Sequence, residues 1–118
     1  MNRPSLRTLV LALALAASVW AVETASNPLD HARAVPNPWR ADKNQDQQVR
    51  FINLPAGSTV KLFTVSGHKV RTVSAGSDGT ARWDRANDSG RAVASGVYLY
   101  TVTDPAGHKT SGKLVIIK

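Results

Sequence analysis

The sequence predicts an all-β fold, an antiparallel sandwich of six to seven strands, and three observations carry that expectation. Short segments rich in β-branched and aromatic residues recur at intervals of about ten residues, separated by Gly, Pro, Asn and Asp. No stretch beyond the apolar amino-terminal segment keeps a helical period. Residues 83–102 (WDRANDSGRAVASGVYLYTV) then join a strand end, a punctuated crossing loop and the most aromatic strand of the chain. Trp83, Tyr98 and Tyr100 supply most of the large apolar surface on which a core can nucleate.

The amino terminus reads as an export signal. Arg3 and Arg7 precede residues 8–22, an uncharged run shorter than the roughly 20 apolar residues that span a bilayer. Small or modest side chains at Val19 and Ala21 complete the pattern of a secretory signal peptide over residues 1–21. Membrane contact is then expected only through that peptide during export. Cleavage would leave 13 basic against 8 acidic residues, a net charge near +5 in place of +7. The bases (Arg50, Lys61, Lys69, Arg71, Arg82, Arg91, Lys109) are scattered along strands and turns, which argues for solvated strand faces and against a nucleic-acid patch. With no Cys, neither a lipidated cysteine nor a disulfide is available, so packing and hydrogen bonds must hold the fold.

Residues 22–35 show no period and are expected to form a flexible linker. Pro36-Asn37-Pro38 then imposes an extended chain and removes two backbone donors, which places the sandwich domain at residues 36–118. Trp39 is positioned to cover one end of the core. In the polar stretch 41–48, Asp42, Asn44 and Asp46 alternate as calcium ligands do. Gln47 stands where the sharp turn needs Gly, and Asn53 where the bidentate Glu belongs, so a solvated loop is expected.

Strands are expected at residues 49–54, 59–65, 68–73, 79–83, 96–103 and 108–117. Their connections carry turn residues: Leu54-Pro55-Ala56-Gly57, Ser66-Gly67, Asn87-Asp88-Ser89-Gly90 and Asp104-Pro105-Ala106-Gly107. The run Leu114-Val115-Ile116-Ile117 predicts burial on both faces. Along residues 97–102, Tyr98, Tyr100 and Val102 compete with Val97, Leu99 and Thr101 for the inner face. Both sets are apolar enough.

No catalytic constellation emerges, and the chain is expected not to be an enzyme. His68 and His108 each sit in a Gly-His-Lys string at a hairpin exit, and His31 lies in the linker. No Ser occupies a strand-to-helix turn. Asp84 and Asp88 are accounted for by turn chemistry, and three scattered His without Cys make a poor metal set. Catalytic, cofactor and metal residues are therefore expected to be absent.

Pro36-Asn37-Pro38, Asn53-Leu54-Pro55-Ala56-Gly57 and residues 60–71 (VKLFTVSGHKVR) form an ordered set that continues through Trp83-Asp84, Asp88-Ser89-Gly90, residues 93–98 (VASGVY) and residues 112–118 (GKLVIIK). In order and spacing this set resembles the C-terminal sorting domain of the type IX secretion system. It is equally similar to the Ig-like domain of the flagellar hook-capping protein. One position departs: Arg85 stands where these domains commonly carry Gly after Trp-Asp.

The resemblance implies an Ig-like sandwich acting as an export address. Outer-membrane translocation machinery would recognise it, and it would then be removed or exchanged for surface attachment. The implied partner is protein, and the implied location is secreted or cell-surface, by way of the periplasm. Gly112, Lys113, Leu114, Val115, Ile116, Ile117 and Lys118 would be the part that is read. Pro36, Asn37, Pro38, Gly67, Trp83, Asp84, Gly90, Gly96 and Tyr98 would be structural. The other reading of residues 114–118 is a last core strand with a charged end. Two further functions compete: a protein–protein assembly domain of the hook-cap type, disfavoured by the export signal, and a carbohydrate-binding accessory module. For the last, only Trp39 lies outside the predicted core strands as a stacking surface.

Overall fold

Alternating side chains along each strand build the two inner faces of a sandwich. The computed structural model describes residues 27–118, in which the elements are β1 (Arg33–Val35), β2 (Trp39–Arg40), a one-turn helix α1 (Ala41–Asn44), β3 (Val49–Ile52), β4 (Thr59–Thr64), β5 (Lys69–Ser74), β6 (Ala81–Trp83), β7 (Gly96–Thr103) and β8 (Lys109–Ile117). A three-stranded sheet runs β1-β3-β6 and a five-stranded sheet runs β2-β8-β7-β4-β5. Residues 1–26, and with them the expected signal peptide, lie outside the described residues.

The core is period-two burial brought face to face. Val49 and Phe51 of β3 and Ala81 and Trp83 of β6 are fully buried, opposite Val60 and Leu62 of β4, Val102 of β7, and Leu114 and Ile116 of β8. Two aromatic pairs bridge the sheets edge to face. The Phe51 and Tyr100 rings are 5.0 Å apart at 64°, and those of Trp83 and Tyr98 are 6.0 Å apart at 67°. Such pairs add about 0.5–1.5 kcal/mol beyond the area they bury. Their polar ends are satisfied: Trp83 Nε1–H donates to Ala86 O at 2.8 Å, and the Tyr98 hydroxyl donates to Ala94 O at 2.6 Å. The inner face of β7 is therefore Tyr98, Tyr100 and Val102, and Val97, Leu99 and Thr101 face outward.

Four connections repeat one hydrogen-bond pattern. In the turns starting at Thr64, Gly76, Asn87 and Asp104, the glycine three residues on donates its N–H to the first carbonyl. The first N–H donates to the carbonyl four residues on. The glycines (Gly67, Gly79, Gly90, Gly107) have φ between 74° and 92°. Thr64 Oγ1, Asn87 Oδ1 and Asp104 Oδ1 also accept the N–H four residues on, from His68, Arg91 and His108. In three of the four a short polar side chain opens the turn, and in all four a left-handed glycine closes it.

Several sequence expectations are corrected. Part of the expected linker is folded: Leu29 is 1% exposed, and Arg33–Val35 pairs with β3. β1 and β2 bring the strand total to eight among the described residues, because segments of three and two residues are too short to show a period. The sandwich is not wholly antiparallel. β2 runs parallel to β8, with Trp39 opposite Ile116, because the chain arrives from the other sheet through Pro36-Asn37-Pro38. The turn expected at Leu54-Pro55-Ala56-Gly57 lies one residue later. Ser58 N–H donates to Pro55 O at 3.1 Å, and Gly57 at φ 80° occupies the third position that a type II turn reserves for glycine. β8 is buried on one face only: Leu114 and Ile116 are inside, and Ile117 is 44% exposed.

Candidate functional site

β8 lies between β7 and the two-residue β2, so its outer edge is only partly covered by a strand. An asparagine side chain extends that cover. Pro36 and Pro38 have no N–H to offer a neighbour. Asn37 supplies one from its side chain: Nδ2 donates to Lys113 O at 2.8 Å, and Oδ1 accepts from Val115 N–H at 3.1 Å. At the far end Lys118 N–H donates to Ser95 Oγ at 2.9 Å. Residues 113–118 are thus held by two side chains as well as by the sheet.

Gly112 is required where it stands. It pairs with Tyr100, and a Cβ there would collide with the Tyr100 ring. The ring lies over the glycine and presses against Phe51. Burial pushes the hydroxyls of Tyr98 and Tyr100 above their ordinary pKa, with a hydrogen bond to the Ala34 backbone partly opposing this at Tyr100. Leu114 and Ile116 anchor the strand below, and Lys113, Val115 and Ile117 alternate outward.

The structural-motif residues fall at separate points of the scaffold. Trp83 and Tyr98 meet in the core, and Gly67 and Gly90 close two of the repeated turns. Gly96 opens β7 opposite Ile116. Asp84 Oδ1 accepts from Ala86 N–H at 3.0 Å, whereas Asp88 lies 4.0 Å from Lys69. His31 and His68 are engaged through their backbones, by Asn53 and Thr64. Among the described residues His108 alone of the three has a carboxylate partner, with Nδ1 2.9 Å from Asp104 Oδ2. Burial raises the Asp104 carboxyl pKa, but hydrogen bonds from the His108 backbone and ring outweigh it and hold the group below the ordinary value. Among the described residues no three His, Cys, Asp or Glu side chains stand close enough to share a metal ion. In the calcium-like stretch Asp42 pairs with Arg40 at 2.7 Å, and Asn44 Oδ1 accepts from Arg40 N–H.

Trp39 is not a stacking platform, being 4% exposed. Its Nε1–H donates to Gln47 O at 2.8 Å, and the Arg85 guanidinium lies 3.8 Å from the ring centroid. Arg85 also donates to Gln47 O at 2.7 Å. Its φ is 64°, a left-handed value that glycine adopts without strain. The position where the resembled domains carry Gly therefore demands Gly-like backbone, and the stack on Trp39 offsets the strain. Sequence reasoning missed this stack and the Asn37 clamp. The signal for the clamp was an amide flanked by two residues without N–H.

No protein-family model matches the sequence, and no curated protein matches it. Solved structures do. PorZ, an essential bacterial surface component of the type-IX secretion system of Porphyromonas gingivalis, matches with a TM-score of 0.66 and 27% identity, over 77% of this chain and 12% of PorZ. Dimeric latent PorU from Porphyromonas gingivalis matches with a TM-score of 0.52 and 24% identity over 73% of this chain and 9% of PorU, a likeness of fold alone. The chain thus spans only a small part of either protein. The described residues form a β-domain related in structure to part of a type IX secretion component.

Proposed function

We propose that the chain is an exported, non-enzymatic Ig-like module that serves type IX secretion as a sorting or cell-surface attachment domain. Outer-membrane machinery reads its carboxyl-terminal strand. The observation that carries this reading is the match to a domain-sized part of PorZ over most of the chain. The motifs from Pro36 to Lys118 point the same way. β8 suits the role because its last residues alternate between core anchors and outward side chains at one end of the sheet.

The test is a reporter inserted between residues 1–26 and residues 27–118 of the chain, in a bacterium that has this route. Deleting residues 114–118 should abolish delivery of the reporter outside the cell. Undiminished delivery would end the sorting reading. Leu114→Ala, which removes a core anchor, separates loss of folding from loss of recognition when delivery is compared with the melting of the purified domain.

A further inference from the structure

One face of the five-stranded sheet packs on the smaller sheet, and among the described residues nothing covers the other. On the uncovered face the register aligns apolar side chains. Phe63 stands opposite Leu99 and Val97 opposite Val115, while Val97 and Leu99 are neighbours along β7, and Val115 and Ile117 along β8. Val97, Leu99 and Ile117 are 42%, 37% and 44% exposed. Beside this strip is a groove of about 320 Å³, lined in part by Phe63, Leu99, Gly112 and Lys113. A continuous exposed apolar patch on a small domain marks an interaction surface.

Its electrostatics are one-sided. The five-stranded sheet carries Arg40, Lys61, Lys69, Arg71, Lys109 and Lys113 and no acidic residue. Every acidic side chain among the described residues lies in a turn, a loop or α1. Lys61, next to Phe63 along β4, and Lys113, opposite Leu99, border the apolar strip on its own face, and neither makes an ion pair among the described residues.

We propose that this face docks a protein partner presenting an apolar side chain framed by carboxylates. A second copy is the poorer occupant, because a two-fold contact would set one lysine border against its duplicate. An anionic bilayer is also poorer. Membrane surfaces favour Trp and Tyr, yet both described tryptophans and both tyrosines point inward, and the groove is a recess for a protruding group. The inference rests on the sorting reading for where the partner is met, and it names the surface and chemistry of that contact.

The experiment uses the reporter fusion, with a photo-activatable benzoylphenylalanine replacing Leu99 in one strain and Arg82, on the other sheet, in a second. Illumination of secreting cells should give a protein adduct at position 99 and not at 82. The cross-linked peptide of the partner should carry Asp or Glu beside the reactive site. No adduct at 99, an adduct to lipid, or an adduct to a second copy overturns the proposal. In parallel, Leu99→Gln with Lys61→Glu should cut delivery at least about tenfold while the purified domain melts within a few degrees of the parent. If deletion of residues 114–118 blocks delivery and this double variant does not, the sorting reading stands and the docking face falls. If the deletion has no effect, the sorting reading falls, and the cross-link alone decides the face.

Discussion

The two faces of β7 are close in composition and opposite in fate. Tyr98, Tyr100 and Val102 are buried, whereas Val97, Leu99 and Thr101 lie open. Hydrophobicity does not choose between them. What chooses is whether each side chain finds a partner: the Tyr98 hydroxyl reaches Ala94 O, the Tyr100 ring fits over Gly112, and both rings meet an aromatic from the other sheet. Turning β7 over would bury Leu99 and Val97 but leave two tyrosines without ring partners. A strand with two apolar faces is oriented by shape and hydrogen bonding.

That difference can be broken most forcefully in the core. Trp83→Ala or Tyr98→Ala should cost about 3–5 kcal/mol, a large share of the roughly 5–15 kcal/mol that holds a small domain folded. Leu99→Ala on the outer face should cost less than about 1 kcal/mol. Urea midpoints of the three variants would settle the contrast, and equal losses at Leu99 and Tyr98 would erase it. Next in size is Gly112→Ala. Its new methyl meets the Tyr100 ring, so about 1–3 kcal/mol should be lost, as in other overpacked cores. Combining it with Tyr100→Leu, which withdraws the ring, should recover part of that loss.

Much of the fold is legible in the sequence, for reasons that differ by element. The span of β7 is as expected, because Gly96 and the Asp104 turn punctuate both of its ends. The Asn87 and Asp104 turns were readable because Asn, Asp and Gly act through bonds local to the turn. β1 and β2 were hidden, since their pairing depends on distant strands and their few residues carry no alternation. The run ending at Ile117 reads as doubly buried because a sequence does not show that the second face is left open among the described residues. The left-handed Arg85 was invisible as geometry, because arginine is not a residue that marks such backbone. Residues 112–118 stand out as a candidate site only through the family resemblance. The Asn37 clamp and the lysine-bordered outer face needed the register.

Register also depends on the turn joining β7 to β8, because a slip of one residue would exchange the two faces. Asp104 holds that turn. Its carboxyl pKa is depressed in the folded chain, so its contribution is fully present above the unfolded value and is lost as pH falls through the folded one. Denaturant midpoints should therefore decline as the pH drops below about 4, and Asp104→Asn should flatten that decline. A remaining slope is expected from Asp78, whose carboxyl is lowered chiefly by its hydrogen bond to Arg82. An unchanged acid profile in Asp104→Asn would show that the turn is held by its backbone alone.

The finest balance concerns Arg85, at the end of the inner face that Trp39 covers. A left-handed backbone costs an L-residue about 1–2 kcal/mol. Against this stand the guanidinium over Trp39, worth about 0.5–1 kcal/mol, and a hydrogen bond to Gln47 O, worth about 1 kcal/mol. Arg85→Ala keeps the strain and loses both contacts, so it should cost about 1–2 kcal/mol. Arg85→Gly loses the same contacts and relieves the strain, so it should stay within about 1 kcal/mol of the parent. Thermal melts would give parent and Arg85→Gly close together, with Arg85→Ala below both. If the Ala and Gly variants melt alike, the left-handed backbone carries no cost at this position, and the stack on Trp39 is a surface contact with nothing to offset.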